Sequence, residues 1–321
     1  MPDLQLWIHH KNMLYQPACE GELTLSWQRQ GAPGKLGFTI LNDGRISFQE
    51  GDAVRLSIDG ADVFFGFVFT KRRSKRKNAA ISVTAYDQLR YFKNKDFYQY
   101  KNKRADELIA MIAGDFQLRT GVLEPTGYAI AHRIEDNQTL FDIVQNALDL
   151  TLQATGKMYV LYDDFGKLTL RSMESMRLHA LICAKTAQDF DYSSSIDSDT
   201  YNQIKLIYEN EAAGTREVYM AKDNNHINDW GVLQKFETLK QPESGAARAD
   251  ALLSLYNRKT RSLSVKGAFG DIRARGGSLL PVWLRLGDIQ ANSYLLAEQV
   301  THHLSADVHT MDLTLRGNVF E

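Results

Sequence analysis

The sequence predicts an α+β protein that is mainly β, with two β-barrel-like domains flanking a smaller α/β region. Three observations carry this expectation: apolar and polar residues alternate over the first hundred positions, the spacing becomes helical after about residue 101, and alternation returns beyond Leu178. The expected domains are residues 1–100, 101–180 and 181–321, the last with a barrel-like part and one helix. At 321 residues the chain exceeds the size of one ordinary domain, and two or three of roughly 100–150 residues each are the natural division.

In the first part, Leu23, Leu25 and Trp27 alternate with Thr24 and Ser26. Val54, Leu56 and Ile58 alternate with Arg55 and Ser57, and Ile81, Val83 and Ala85 with Ser82 and Thr84. Period two places one set on a buried face and the other toward solvent, the pattern of half-buried strands. Turn signals at Gly31–Gly34, Asn42-Asp43-Gly44, Asp59-Gly60 and Lys71–Asn78 separate them, as in an antiparallel sandwich or barrel. Gly66 lies inside the apolar strand Val63–Phe69, where a missing side chain permits the bend that barrel closure requires.

Farther along, Leu108, Ile109, Ile112 and Phe116 recur at three- and four-residue spacing, which predicts a helix ending near Gly121. A second helix has Thr139 and Asp142 as its capping pair, Phe141, Val144, Ala147 and Leu148 as its apolar stripe, and Gly156 as its stop. Lys157–Tyr162 and Lys167–Arg171 then read as a hairpin about Asp163-Asp164-Phe165-Gly166. Strand patterns resume at Asn202–Tyr208, Arg216–Ala221 and Gly231–Leu239. One helix follows over about Gly245–Arg258, and the stretch from Thr260 to Phe320 is strand and turn.

The two strand-rich ends can be superposed as patterns. Glu50-Gly51-Asp52-Ala53 precedes strands at Val63–Thr70 and Ile81–Tyr86; Leu286-Gly287-Asp288-Ile289 precedes strands at Tyr294–Thr301 and around Leu313. If this is a duplication, one chain offers two similar wedges and a trimer offers six, which can meet a sixfold tube and cover exposed strand edges.

Composition narrows the function. Lys plus Arg number 38 and Asp plus Glu 39, so no global field draws the chain to nucleic acid or an anionic membrane. The two cysteines, Cys19 and Cys183, are too few and too far apart for a disulfide framework or a zinc site, and read as ordinary thiols. The N-terminal residues lack a basic-then-apolar leader, so a classical signal peptide is not expected. No G-x-S-x-G elbow or H-x-x-x-H helix occurs, and no catalytic residue, metal or cofactor is expected. His9-His10, His302-His303 and His309 read as structural, and Asp189, Asp191, Asp197 and Asp199 about Ser193-Ser194-Ser195 as a polar linker between domains. Gly270–Gly277 resembles a phosphate loop only in its glycines, since no GK[ST] follows.

Lys71, Arg72, Arg73, Lys75, Arg76 and Lys77 put six cations into seven residues without interleaved aromatics. A solvated hairpin tip or a contact with an acidic protein suits this better than base stacking, and specific nucleic-acid binding is not expected.

Several segments resemble the XkdQ/YqbQ-type proteins of PBSX-like prophage elements, a family related to the hub proteins of contractile tails. They are Gly66–Phe69, Thr84–Leu89 with Lys93-Asn94-Lys95, Leu140–Leu170 with Thr155-Gly156-Lys157, Ser195-Ile196 with Asn202-Gln203-Ile204, Tyr219–Gln234 and Pro281-Val282-Trp283. The resemblance implies a structural baseplate hub, not an enzyme. Such a homotrimer of tube domains joins the hexameric inner tube protein to the trimeric central spike and other baseplate proteins. It would be assembled in the bacterial cytoplasm and reside in the tail of a virion or phage-like particle, with no membrane partner. In such a hub, Gly51-Asp52 and Gly287-Asp288 would set the barrel turns, Gly66 the curvature, and the loop Lys71–Lys77 an electrostatic contact with a neighbour. The rival expectation is a tail-associated peptidoglycan hydrolase, because paired carboxylates leave no fixed sequence spacing.

Overall fold

The computed structural model describes residues 3–41, 44–73, 80–197, 200–210, 214–239, 245–287 and 289–317. The chain forms two compact units: one runs to Asp191 and resumes at Ser264, and the other is Tyr192–Leu263. The sequence-derived limits at residues 100 and 180 fall inside the first unit.

In the first unit the N-terminal strands are β1 (Leu4–His10), β2 (Met13–Tyr15), β3 (Leu23–Gln28), β4 (Lys35–Leu41), β5 (Ala53–Ile58), β6 (Ala61–Arg72) and β7 (Ala80–Tyr86). The middle supplies β8 (Lys95–Arg104), α1 (Ala105–Asp115), β9 (Thr120–Leu123), β10 (Ala129–Thr139), α2 (Leu140–Thr155), β11 (Tyr159–Asp163), β12 (Leu168–Ser172), β13 (Ile182–Cys183) and β14 (Asp189–Ser195). In the second unit are β15 (Gln203–Asn210), β16 (Thr215–Lys222), α3 (Asn224–Trp230), β17 (Gln234–Leu239) and α4 (Gly245–Tyr256). The chain returns through β18 (Thr260–Phe269) to β19 (Leu279–Arg285), β20 (Gln290–Leu304) and β21 (His309–Arg316).

The class is α+β and mainly β, as the alternation predicts. The strands of the two ends are not separate sheets, however: β3 pairs with β4 on one side and with β20 on the other, in the register Gln299↔Gln28 to Leu304↔Leu23. The path β21-β20-β3-β4-β7-β6-β5-β1-β2 is therefore continuous, with β19 branching from β20. Among the described residues no ladder closes either strand set on itself. The joining strand carries its partners in succession, β19 along Gln290–Leu296 and β21 with β3 along the remainder.

Alternation becomes burial as expected. Leu25, Leu36, Ile40, Val54, Leu56 and Ile81 are fully buried in one core, which Leu304 of β20 enters from the other end of the chain. Burying each such side chain is worth about 1.5–3 kcal/mol. A second core packs Leu108, Ile109 and Ile112 of α1 and Leu140, Ile143 and Ala147 of α2 against Tyr98, Tyr100, Leu168 and Leu170. The Thr139 hydroxyl accepts from the Asp142 N–H at 3.1 Å, and Gly156 ends α2 at φ +69°, so both predicted helix signals act where the sequence places them. In the second unit, α4 lays Ala249, Leu252 and Leu253 over Ile204 and Leu206 of the sheet β16-β15-β17.

Some elements differ from expectation. β8 and β10 form a ribbon in stretches with no predicted element, because their inward residues are mostly tyrosines and polar groups: Tyr98, Tyr100 and Glu135 carry little apolar signal. α3 occupies part of a stretch with no predicted element, and Gly231–Leu233 lies outside β17. Asp189–Ser195, expected as a linker, is strand β14, within which the chain passes from one unit to the other.

A buried polar knot and the candidate contact elements

The tip of the hairpin β11–β12 shows how the sequence builds a joint. Phe165 and Gly166 are the two central turn residues, both at positive φ (+48° and +77°), and Asp164 and Lys167 exchange backbone hydrogen bonds at 2.8 and 3.2 Å. A Cβ on Gly166 would lie 2.7 Å from the Phe65 ring of β6, so the tip docks there only as glycine. Phe165 meets Phe65 edge-on at 5.8 Å and lies under the Arg55 guanidinium at 5.3 Å.

Behind the tip, Asp163 and Asp87 are buried, 5% and 1% exposed. Both oxygens of Asp87 are taken by backbone donors, Oδ2 by the Gly34 N–H at 2.8 Å and Oδ1 by the Leu89 N–H at 3.0 Å. Asp163 Oδ1 accepts from the Gly166 N–H at 2.7 Å, whereas its Oδ2 is buried with no hydrogen bond. Although part of Arg275 reaches the surface, its guanidinium lies between the rings of Tyr162 and Trp27, at 4.3 and 4.8 Å. It donates to the Asp163 carbonyl at 2.9 Å. Burial pushes the Asp163 carboxyl up to about 6. It pushes Asp87 up as well, and the neighbouring Asp163 adds to that rise.

The loop Gly270–Ser278 holds both this knot, through Arg275, and a histidine pair, through Ala274. Its glycines serve packing: Gly270 faces the His309 ring, Gly276 the β3 backbone at Gln28 and Arg29, and Gly277, at φ +97°, faces Val160. His302 Nε2 donates to the Ala274 carbonyl at 2.8 Å, which fixes its Nδ1 as the acceptor of the His309 Nε2–H at 2.9 Å. Burial holds His302 down at about 3, so the pair is neutral. Asp271 and Arg273 pair at 2.7 Å on the outside of the loop.

Two of the expected turn residues stand at positive φ. Gly51 stands at φ +90° and Gly287 at φ +92°, a region that glycine alone enters cheaply. Asp52 Oδ2 accepts from the Gln49 N–H at 2.6 Å and faces His10 Nδ1 at 2.7 Å, tying the turn to β1. Asp288 lies outside the described residues. A Cβ on Gly66 would strike the Tyr86 carbonyl, so β6 and β7 approach more closely there than any side chain allows; the register of this pair breaks between Val68 and Thr70. Lys71 does not reach outward: its ammonium donates to the Phe48 carbonyl and stands 4.2 Å over the Phe48 ring. Arg72 and Arg73 are exposed, and Lys75, Arg76 and Lys77 lie outside the described residues.

No group of three or more His, Cys, Asp or Glu side chains among the described residues could hold a metal ion, and no helix is long and apolar enough to cross a membrane. Large apolar side chains do stand exposed: Phe269 and Trp283 in the first unit, and Val218, Met220 and Phe236 on one face of the sheet in the second. A cleft of about 480 Å³ in the first unit passes Phe269, Asp271 and His309. The sequence reading missed the knot altogether, because Asp87, Asp163 and Arg275 are single residues far apart in the chain, and only the excess of buried charge marks them.

A family model described as YQBQ-like matches residues 23–316. The chain is 30% identical over 301 residues to the phage-like element PBSX protein XkdQ of Bacillus subtilis (strain 168), covering 91% of this chain and 90% of that protein. Among solved structures it is similar to the 43 kDa tail protein of prophage MuSo2 from Shewanella oneidensis, with TM-score 0.71, 12% identity and coverage of 97% and 98% of the two chains. It is also similar to the E. coli c3393 protein, a component of the type VI secretion system with structural similarity to the T4 tail proteins gp27 and gp5. There the TM-score is 0.57, the identity 10% and the coverage 98% and 76%. The chain thus belongs to the YQBQ-like family, that of the XkdQ/YqbQ-type prophage proteins.

Proposed function

We propose, starting from this family membership, that the chain is a structural component of a phage-type tail. More specifically, it is the baseplate hub of a contractile tail, which as a homotrimer joins the hexameric inner tube to the central spike. The observation that carries this reading is the match over nine-tenths of the chain to a phage-like element protein, together with a fold shared along almost its whole length with a prophage tail protein. The strand sets of residues 1–100 and 181–321 would be the two tube-type halves, with the matching turns at Gly51 and Gly287 as their corresponding corners. Exposed Arg72 and Arg73, with Lys75, Arg76 and Lys77, would contact an acidic face of a neighbouring baseplate protein. The protein would reside in the tail of a virion or phage-like particle after assembly in the bacterial cytoplasm.

A non-enzymatic role agrees with the placement of the acids. Asp87 and Asp163, the neighbouring carboxyls of the knot, are buried in the interior, where no polysaccharide reaches. A hub of this kind needs permanent interfaces of about 2,000 Å² or more between subunits. Light scattering with negative-stain imaging of the purified chain, alone and with its tube and spike partners, tests the reading. A threefold ring is expected, whereas a compact monomer that degrades peptidoglycan would overturn it. Charge reversal at Arg72, Arg73 and Arg76 should impair particle assembly while leaving the protomer folded, as judged by circular dichroism.

A further inference from the structure

We propose that protonated Asp163 latches the β11–β12 hairpin onto the main sheet of the first unit, and that loss of this proton loosens the latch. Asp87 can serve only as an acceptor, since each of its oxygens faces a backbone N–H. Asp163 Oδ1 meets the Gly166 N–H and its buried Oδ2 has no hydrogen bond; the nearby Gln88 amide, which favours the ionised form, bonds the backbone of Arg119 at 3.1 and 3.2 Å. A buried carboxylate oxygen without a donor is costly, whereas a protonated one is neutral.

Charge leaves the pair of acids one proton short of neutrality, burial raising both carboxyls and Asp87 well above its ordinary range, and the hydrogen-bond partners then assign that proton to Asp163. The groups facing Asp163 are Asp87 from the end of β7, Asp164 and Tyr162 from its own hairpin, and Arg275 from the loop before β19. Arg171 faces Tyr162, and Arg55 of β5 covers Phe165 at the tip. One interior guanidinium therefore stands against two interior carboxyls, and it spends a donor on the Asp163 carbonyl rather than on a carboxylate. With both acids ionised the knot carries an uncompensated negative charge where water is excluded. What this charge would push apart is the docked tip, Phe165 and Gly166 against Phe65.

The linkage has a definite sign. A carboxyl raised in the folded state to about 6 supports the fold below its unfolded value, and that support is lost as the pH rises toward 6. Asp163→Asn imitates the protonated acid, retaining an acceptor for Gly166 and placing an N–H₂ where the orphaned oxygen stands. Asp87→Asn instead turns an amide N–H₂ toward a backbone N–H. The experiment follows amide hydrogen exchange of the full chain by mass spectrometry, corrected for the intrinsic effect of pH, in wild type and both variants. Between about pH 4 and about pH 7.5 exchange across the wild-type hairpin should accelerate by about ten- to a hundredfold relative to α2. In Asp163→Asn that acceleration should disappear, while Asp87→Asn should be less protected throughout. The proposal is overturned if Asp163→Asn retains the wild-type pH response, or if Asp87→Asn abolishes it, which would place the proton on Asp87. Should either variant fold poorly, the wild-type profile still decides: hairpin exchange that is flat relative to α2 excludes the latch.

Discussion

Two buried polar clusters meet the loop Gly270–Ser278 at adjacent residues, Ala274 and Arg275, and they are built on different rules. In the histidine cluster every ring nitrogen that is buried finds a partner of the right kind: His309 donates to His302, and His302 donates to a carbonyl. In the aspartate cluster one carboxylate is saturated by backbone N–H groups, while its neighbour keeps an oxygen without a donor near a guanidinium that bonds its backbone carbonyl and neither carboxyl. The first arrangement is neutral and closed. The second holds charge in reserve and relies on Arg275 to balance it. A satisfied network contributes rigidity, and a partly satisfied one responds to its surroundings.

The sharpest way to break this contrast is to remove the cation. Arg275→Met should destabilise the fold by about 3 kcal/mol, because two interior carboxyls then lack compensation, and urea unfolding of the variant at neutral pH should register it. The loss should shrink as the acids are protonated at lower pH. If Arg275→Met is as stable as wild type, the knot is held by ring packing alone.

His302→Leu should cost less, about 1–3 kcal/mol, by leaving the Ala274 carbonyl and the His309 N–H without partners. Its pH dependence runs opposite to that of Asp163. A histidine depressed to about 3 supports the fold above its ordinary value of 6.5, and the support is lost as pH falls from there toward 3. The stability gap between wild type and His302→Leu should therefore narrow on acidification, and a gap that widens would refute the neutral pairing. The smallest effect belongs to the outside of the loop. Arg273 is 69% exposed, so Arg273→Ala should change stability by at most about 1 kcal/mol, a difference that salt should erase. A larger loss would show that the loop is supported from solvent and not from its two interior clusters.

The sequence made much of this architecture legible, and unevenly. α2 could be read from Thr139, Asp142 and Gly156 because capping is chemistry among near neighbours. The hairpin at Phe165-Gly166 was readable for the same reason. β8 and β10 were hidden because tyrosines and a buried glutamate, Glu135, take the inward positions that aliphatic residues usually mark. Lys71 was misleading in another way: it belongs to a run of cations, yet the structure turns it inward onto Phe48. Gly51 and Gly287 were marked by the Gly-Asp pairs that precede similar strands, but nothing local announced that Arg275 would meet Asp163.

What the residues determined on their own is periodic and short in range: which segments are strands or helices, which side of each is apolar, where helices start and stop, and to which family the order of segments belongs. Hydrophobic period and capping act over a few residues, so they are written in the chain itself. Tertiary structure decided the pairing of β3 with β20, where Ser26 meets Thr301 across 275 positions, and the gathering of two acids and one cation behind a hairpin tip. Those outcomes depend on closing long loops and on desolvating charge together, which are properties of the packed whole.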